Sequence, residues 1–146
     1  MFHFYEGAKM SKFWVITTFF NPAKYKSLLK NYFIFSEQLK KQGVPLLTVE
    51  CAFNDDGYEI PEGPNVHRLR SGSIMWQKER LINYGVSKLP DNCEYYAWLD
   101  CDILFSDPNW CELAIDKLKK ANIVQVFKKV VYMPQGKTSF DGEKIM

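Results

Sequence analysis

The feature that most constrains this chain is its alternation of short β-branched apolar runs with longer stretches of helical periodicity. Residues 13–18, FWVITT, form an apolar run ending at a turn signal, which predicts a buried strand. Asn21-Pro22 then predicts a helix start, with Asn as N-cap and Pro at the first helical position. Tyr25, Leu28, Leu29, Tyr32, Phe35 and Leu39 follow at helical spacing with lysines between them, and Gly43 and Pro45 end the helix. A second strand is expected over 46–53 (LLTVECAF), then a loop whose acids Asp55, Asp56, Glu59 and Glu62 are expected to be solvated. A third strand is expected over 66–70 and a helix from about Ile74 to Leu89. The most apolar stretch, residues 95–105 (YYAWLDCDILF), predicts a central strand. Asp107-Pro108 repeats the cap-then-proline start for a helix to about Lys120, and 122–133 (NIVQVFKKVVYM) predicts a fifth strand. Such alternation is that of an α/β domain, with a mainly parallel central sheet and helices on both faces. Sheets of this kind bind ligands at the carboxyl ends of their strands. That rule selects Thr17–Asn21, Glu50–Asp56, Arg70–Gly72 and Asp100–Asp107.

At 146 residues the chain has the size of one domain. We divide it into an extension over 1–12, the α/β domain over 13–133 and a polar tail over 134–146. A hydrophobic fraction of 47% supplies a core, and 16% aromatics argues against intrinsic disorder. The net charge of +2 lacks the basic excess of a dedicated nucleic-acid binder. No run is apolar and long enough for a transmembrane segment, and MFHFYEGAKM is not patterned as a secretory signal. Cys51, Cys93, Cys101 and Cys111 form no C-x-x-C pair, so four reduced thiols in a cytoplasmic protein are expected rather than a zinc site or a disulfide framework. Trp14, Trp76, Trp98 and Trp110 are expected in the core.

The chemistry concentrates in Trp98-Leu99-Asp100-Cys101-Asp102. In extended structure residues i and i+2 share a face, so Asp100 and Asp102 point together and Cys101 points away. Two such acids repel unless a cation joins them, and hard oxygen ligands suit Mg²⁺ or Mn²⁺. A solvated strand end, or Asp102 as a turn former, accounts for the same residues without a ligand. Lys78 falls on the Ile74, Leu81, Ile82, Gly85 stripe, where it either snorkels to the edge or reaches an anion such as a diphosphate. Arg80, on another face beside Trp76, is expected in solvent. Glu50, at the end of the second strand, is a candidate acceptor for a base or ribose.

Together these residues resemble the nucleotide-sugar glycosyltransferases of the A-type, Rossmann-like fold, particularly the large family 2. ITTFFNPAKYKSLLKNYFIFSEQL is similar to that family's first strand, threonine–asparagine turn and first helix. LLTVE is similar to the second strand, Asn83-Tyr84-Gly85 to an Asn-x-Gly in the helix before the D-x-D strand, and WLDCD to the D-x-D signature. The resemblance spans about residues 13–127. It implies a divalent metal (Mn²⁺ or Mg²⁺) at Asp102 with Asp100, and nucleotide-sugar contacts at Thr18, Glu50, Lys78 and Asp100. Ile82 stands where the family often has an arginine, which leaves phosphate binding to Lys78. The implied partners are a nucleotide-diphosphate sugar donor and an acceptor hydroxyl, with no nucleic acid. The short tail implies a donor-binding half lacking much of the acceptor region, and no catalytic base is identifiable. A degenerate, non-catalytic nucleotide- or partner-binding domain is the alternative. A D-x-D phosphatase fits less well, because its signature opens the chain and is followed by a small residue and Thr, not Ile103-Leu104-Phe105.

Overall fold

The computed structural model describes residues 12–139. It divides into two compact units, one ending at Ile103 and one beginning at Leu104. In the first unit, strand β1 (Phe13–Phe19) leads to helix α1 (Lys26–Lys41) and strand β2 (Leu46–Phe53). Strand β3 (Val66–Ser71), helix α2 (Lys78–Val86) and strand β4 (Tyr95–Trp98) complete it. The four strands form one all-parallel sheet in the order β3-β2-β1-β4, a Rossmann-like α/β arrangement.

Strand alternation assigns the helices to opposite faces. On one face Tyr32 of α1 shares a hydrogen bond with Thr48 of β2 at 2.9 Å and meets Phe19 edge to face. On the other, Gly85 of α2 comes so close to the sheet that a Cβ there would lie 2.8 Å from Ile16 and 3.2 Å from Val49. Ile16, Leu47, Val49, Cys51, Phe53 and Leu81 form the core of that side. Being parallel, all four strands deliver their carboxyl ends to one edge.

Several boundaries differ from expectation, each for a local reason. Asn21 does not cap a helix. Its side chain both accepts from Tyr25 N (2.9 Å) and donates to Tyr25 O (3.0 Å), closing a turn in which Lys24 has φ 55°. That left-handed residue cannot be helical, so α1 starts at Lys26 and Pro22 lies outside it. Helix α2 starts at Lys78 rather than near Ile74 because serine side chains occupy the preceding backbone: Ser73 N donates to Ser71 Oγ and Met75 N to Ser73 Oγ. The 95–105 run is a strand only over Tyr95–Trp98, and β4 is an edge strand, not a central one.

The second unit contains helix α3 (Trp110–Leu118). Its entry is a turn in which Asp107 Oδ1 accepts from Asn109 N, which holds the start three residues beyond Asp107. Phe105 stacks on Trp110 with ring centroids 4.0 Å apart. The fifth strand expected over 122–133 is not formed: no ladder partner pairs with it among the described residues, and Ile123 and Tyr132 lie in solvent. A β-branched run becomes a strand only where another backbone receives its hydrogen bonds. The 134–139 stretch carries no strand or helix, whereas most of the 1–12 extension and the last seven residues lie outside the described residues. Among the described residues no helix is long and apolar enough to cross a membrane.

The tryptophans divide. Trp110 is buried and Trp14 partly so, but Trp76 and Trp98 are exposed, against expectation. Trp98 lies on β4, which has no further strand beside it among the described residues, and Trp76 precedes the start of α2. All four cysteines are free thiols.

Candidate functional site

Strand order creates the crevice. The chain steps outward from β1 to β2 and β3, then crosses to the far side of β1 for β4, so the switch point lies between the carboxyl ends of β1 and β4. β4 pairs with β1 up to Trp98 opposite Ile16, and Leu99 N still donates to Ile16 O at 3.0 Å. Buried Thr17 then donates its hydroxyl to Leu99 O at 2.7 Å. These bonds end the ladder and bring Asp100 level with Thr18 at the switch point.

Beyond Leu99 the chain turns, and burial alternates: Leu99 and Cys101 are buried, Asp100 and Asp102 exposed. Both acids thus face solvent while Cys101 faces inward, although the strand itself has ended. Burial first, then the charge of Asp102, push the Cys101 thiol up to about 12. It stays protonated at neutral pH, a poor nucleophile and metal ligand.

Lys78 opens α2 on the same side of the sheet as Thr18, and its ammonium donates to Asp100 Oδ1. Of the two expectations for this lysine, the described residues thus supply an anion from the chain itself. Thr18 is nearly buried, so only its edge meets the crevice. Arg80 is exposed, as expected, and donates to Gln77 Oε1 at 3.1 Å.

Glu50 lies on the opposite face, that of Thr48 and α1, and is 2% exposed. Its two carboxylate oxygens accept from Glu59 N (2.5 Å) and Ile60 N (3.2 Å). Burial pushes its carboxyl above the ordinary range, opposed by those two amides and by Arg68. Of the loop acids expected in solvent, Asp55 and Glu62 are exposed, whereas Asp56 and Glu59 are partly covered and paired. Asn21 donates to Glu59 (3.3 Å), Lys24 pairs with Asp56 (3.5 Å) and Glu59 (3.7 Å), and Arg68 pairs with Glu62 (2.7 Å). The arginines of β3 complete the tether: Arg68 donates to Ile60 O, and Arg70 to Asn54 O and Asp56 O, with Tyr58 stacked under both guanidiniums. Arg70 stands at one of the strand ends expected to meet a ligand, but here it binds the chain's own loop, and Arg68 was not among the expected positions. Their signal was two cations alternating on a strand beside a loop rich in acids.

Among the described residues no group of three or more His, Cys, Asp or Glu gathers as a metal cage. Asp100 and Asp102 fit a different mode, in which Mg²⁺ takes one or two protein carboxylates and fills its shell with phosphate oxygens and water. No protein family, no curated protein and no solved structure matches this chain.

The tie from Thr17 to Leu99 is testable. Thr17→Val keeps shape but leaves a buried carbonyl without its donor, and should cost about 1–2 kcal/mol in urea unfolding. An unchanged midpoint would mean that the bond does not hold the end of β4.

Proposed function

We propose that this chain is the donor-binding part of a metal-dependent glycosyltransferase that uses a nucleotide-diphosphate sugar. The observation that carries the reading is the coincidence of three features at one switch point: the end of β1 with Thr18, the Asp100-Cys101-Asp102 turn, and Lys78 from the facing helix. A diphosphate bound there would compete with Asp100 for the Lys78 ammonium, which would leave that carboxylate available to a metal. Asp102 and Asp100 would hold Mn²⁺ or Mg²⁺, which supplies charge neutralisation for the leaving nucleotide. Thr18 lines the floor. Glu50 acts through the loop that it fixes beside the crevice, since its own oxygens already serve two backbone amides.

That engagement of Glu50, with the Lys78–Asp100 pair, also supports a second reading, a domain that binds nucleotide without turning it over. Incubation with UDP-, GDP-, CDP- and TDP-sugars separates the two. Metal-dependent release of the nucleoside diphosphate, abolished in Asp102→Ala, is the expected result. Binding without release would favour the non-catalytic domain, and neither would contradict both.

A further inference from the structure

β4 closes the sheet on one side, and no strand lies beyond it among the described residues. Tyr95 N donates to Lys12 O at 3.1 Å and Leu99 N to Ile16 O at 3.0 Å, so alternate residues of this segment aim their backbone groups at β1. Tyr96 and Trp98, offset by one residue, therefore turn an N–H and a C=O away from the sheet. Such an edge is a template for a further strand unless something blunts it.

The two edges of this sheet differ in that respect. β3, on the far side, carries Arg68 and Arg70, charged side chains of the kind that keep other strands off an edge. β4 reads Tyr-Tyr-Ala-Trp, without charge or proline, and its safeguard is its length of 4 residues. Tyr96 and Trp98 are 41% and 53% exposed. Their register opposite Trp14 and Ile16 sets both rings on the face where Gly85 of α2 approaches Ile16. The proposed donor site uses neither ring.

The pattern of the edge selects the occupant, because it is complementary to itself. A two-fold axis through Ala97, normal to the sheet, places Tyr96 opposite Trp98 of a second copy, and Trp98 opposite that copy's Tyr96. These are the residues with outward backbone groups, so each pair exchanges both of its hydrogen bonds, and its two rings lie side by side on one face. Ala97 meets Ala97 of the second copy in the non-hydrogen-bonded position, where Cα atoms come within about 4.5 Å and a small side chain fits. Charge balances as well. Glu94 and Asp100, which flank β4, come opposite one another, and each brings its own lysine, Lys12 and Lys78. An unrelated extended segment could use the backbone groups but would match neither the aromatic pairs nor this neutral grouping.

We propose that β4 pairs antiparallel with β4 of a second copy about Ala97, joining two four-stranded sheets into one isologous dimer. Since the paired strands run oppositely, the carboxyl ends of the two sheets, with their Asp100–Lys78 pairs, lie at opposite ends of the joint. The dimer does not rest on the proposed function. So short a joint falls below the roughly 1,200–2,000 Å² of stable complexes, which sets the expected dissociation constant at about 10–100 µM.

The test is sedimentation equilibrium of the whole chain from about 1 to 300 µM, a range that brackets that constant. We expect a reversible monomer–dimer equilibrium whose dissociation constant rises about tenfold or more in Trp98→Lys and in Tyr96→Lys. Ala97→Cys gives a gain of signal that does not depend on weakening anything. On mild oxidation it should form a covalent dimer faster than the wild type with its native thiols, because Cα atoms so placed suit a disulfide. Tyr95→Cys, displaced from the axis, should not. A monomer at every concentration would overturn the proposal, as would a dimer indifferent to both lysine variants. So would a dimer that Ala97→Cys does not link, the result expected if residues 122–133 of one copy occupied the β4 edge of the other.

Discussion

Replacing Glu50 with alanine should destabilise the protein by about 2–5 kcal/mol, although the residue sits where a ligand-contacting acid was expected. The carboxylate is 2% exposed and is the acceptor for the amides of Glu59 and Ile60. Its removal strands two donors, each costing about 1–3 kcal/mol, and opens a cavity beside the β2 end. Gln should rescue only in part, because its amide nitrogen would face one of the two N–H groups. The pH dependence has a definite sign. Burial raises the folded carboxyl above its unfolded value, so the group's protonation-linked stability is present below about pH 4.3 and is lost as pH rises through the raised folded value. The deficit of Glu50→Ala should therefore be larger at pH 4 than at pH 8, as urea midpoints at about those two values would show. A deficit below about 0.5 kcal/mol would return Glu50 to a purely ligand-facing role.

Gly85→Val should be comparably harmful. A Cβ on residue 85 would meet Ile16 at 2.8 Å, Val49 at 3.2 Å and Leu47 at 3.4 Å, all core side chains of the sheet face under α2. Overpacking of this kind costs about 1–3 kcal/mol and sometimes more, and a branched side chain adds atoms where even one does not fit. Gly85→Ala sets the same clash against a gain of up to about 1 kcal/mol in helix propensity, and should be the milder variant. Because Lys78 opens the same helix, displacement of α2 should also loosen the Lys78–Asp100 pair. Thermal unfolding that ranks wild type, Ala and Val in that order is the expected result. Equal stability of all three would mean that α2 does not approach the sheet so closely.

What was legible in the residues was what periodicity and punctuation carry. FWVITT and LLTVECAF are strands because their apolar side chains fill both faces, and Leu81 and Gly85 mark the buried stripe of α2. Asp100 and Asp102 are exposed and Cys101 is buried, the pattern alternation predicts, although β4 has ended at Trp98. What escaped depended on partners distant in sequence. Residues 122–133 have the composition of a strand but no backbone to pair with among the described residues. Asn21 reads as a cap until its two bonds to Tyr25 and the left-handed Lys24 are seen. Glu50 reads as a ligand residue because nothing local announces that residues nine and ten positions later will fold back onto its oxygens. Trp76 reads as core because the serine-tied loop that turns it outward is built by side chains rather than by periodicity.

The most direct test of the switch-point site is a thermal-shift panel of UDP, GDP, CDP and TDP, each with Mn²⁺, Mg²⁺ or EDTA, run on wild type and Asp102→Ala. A ligand that binds only the folded state raises its melting temperature by mass action. We predict a metal-dependent rise for one nucleotide in the wild type and none in Asp102→Ala. No rise with any pair, or a rise that survives both EDTA and Asp102→Ala, would contradict a metal–diphosphate site at this turn.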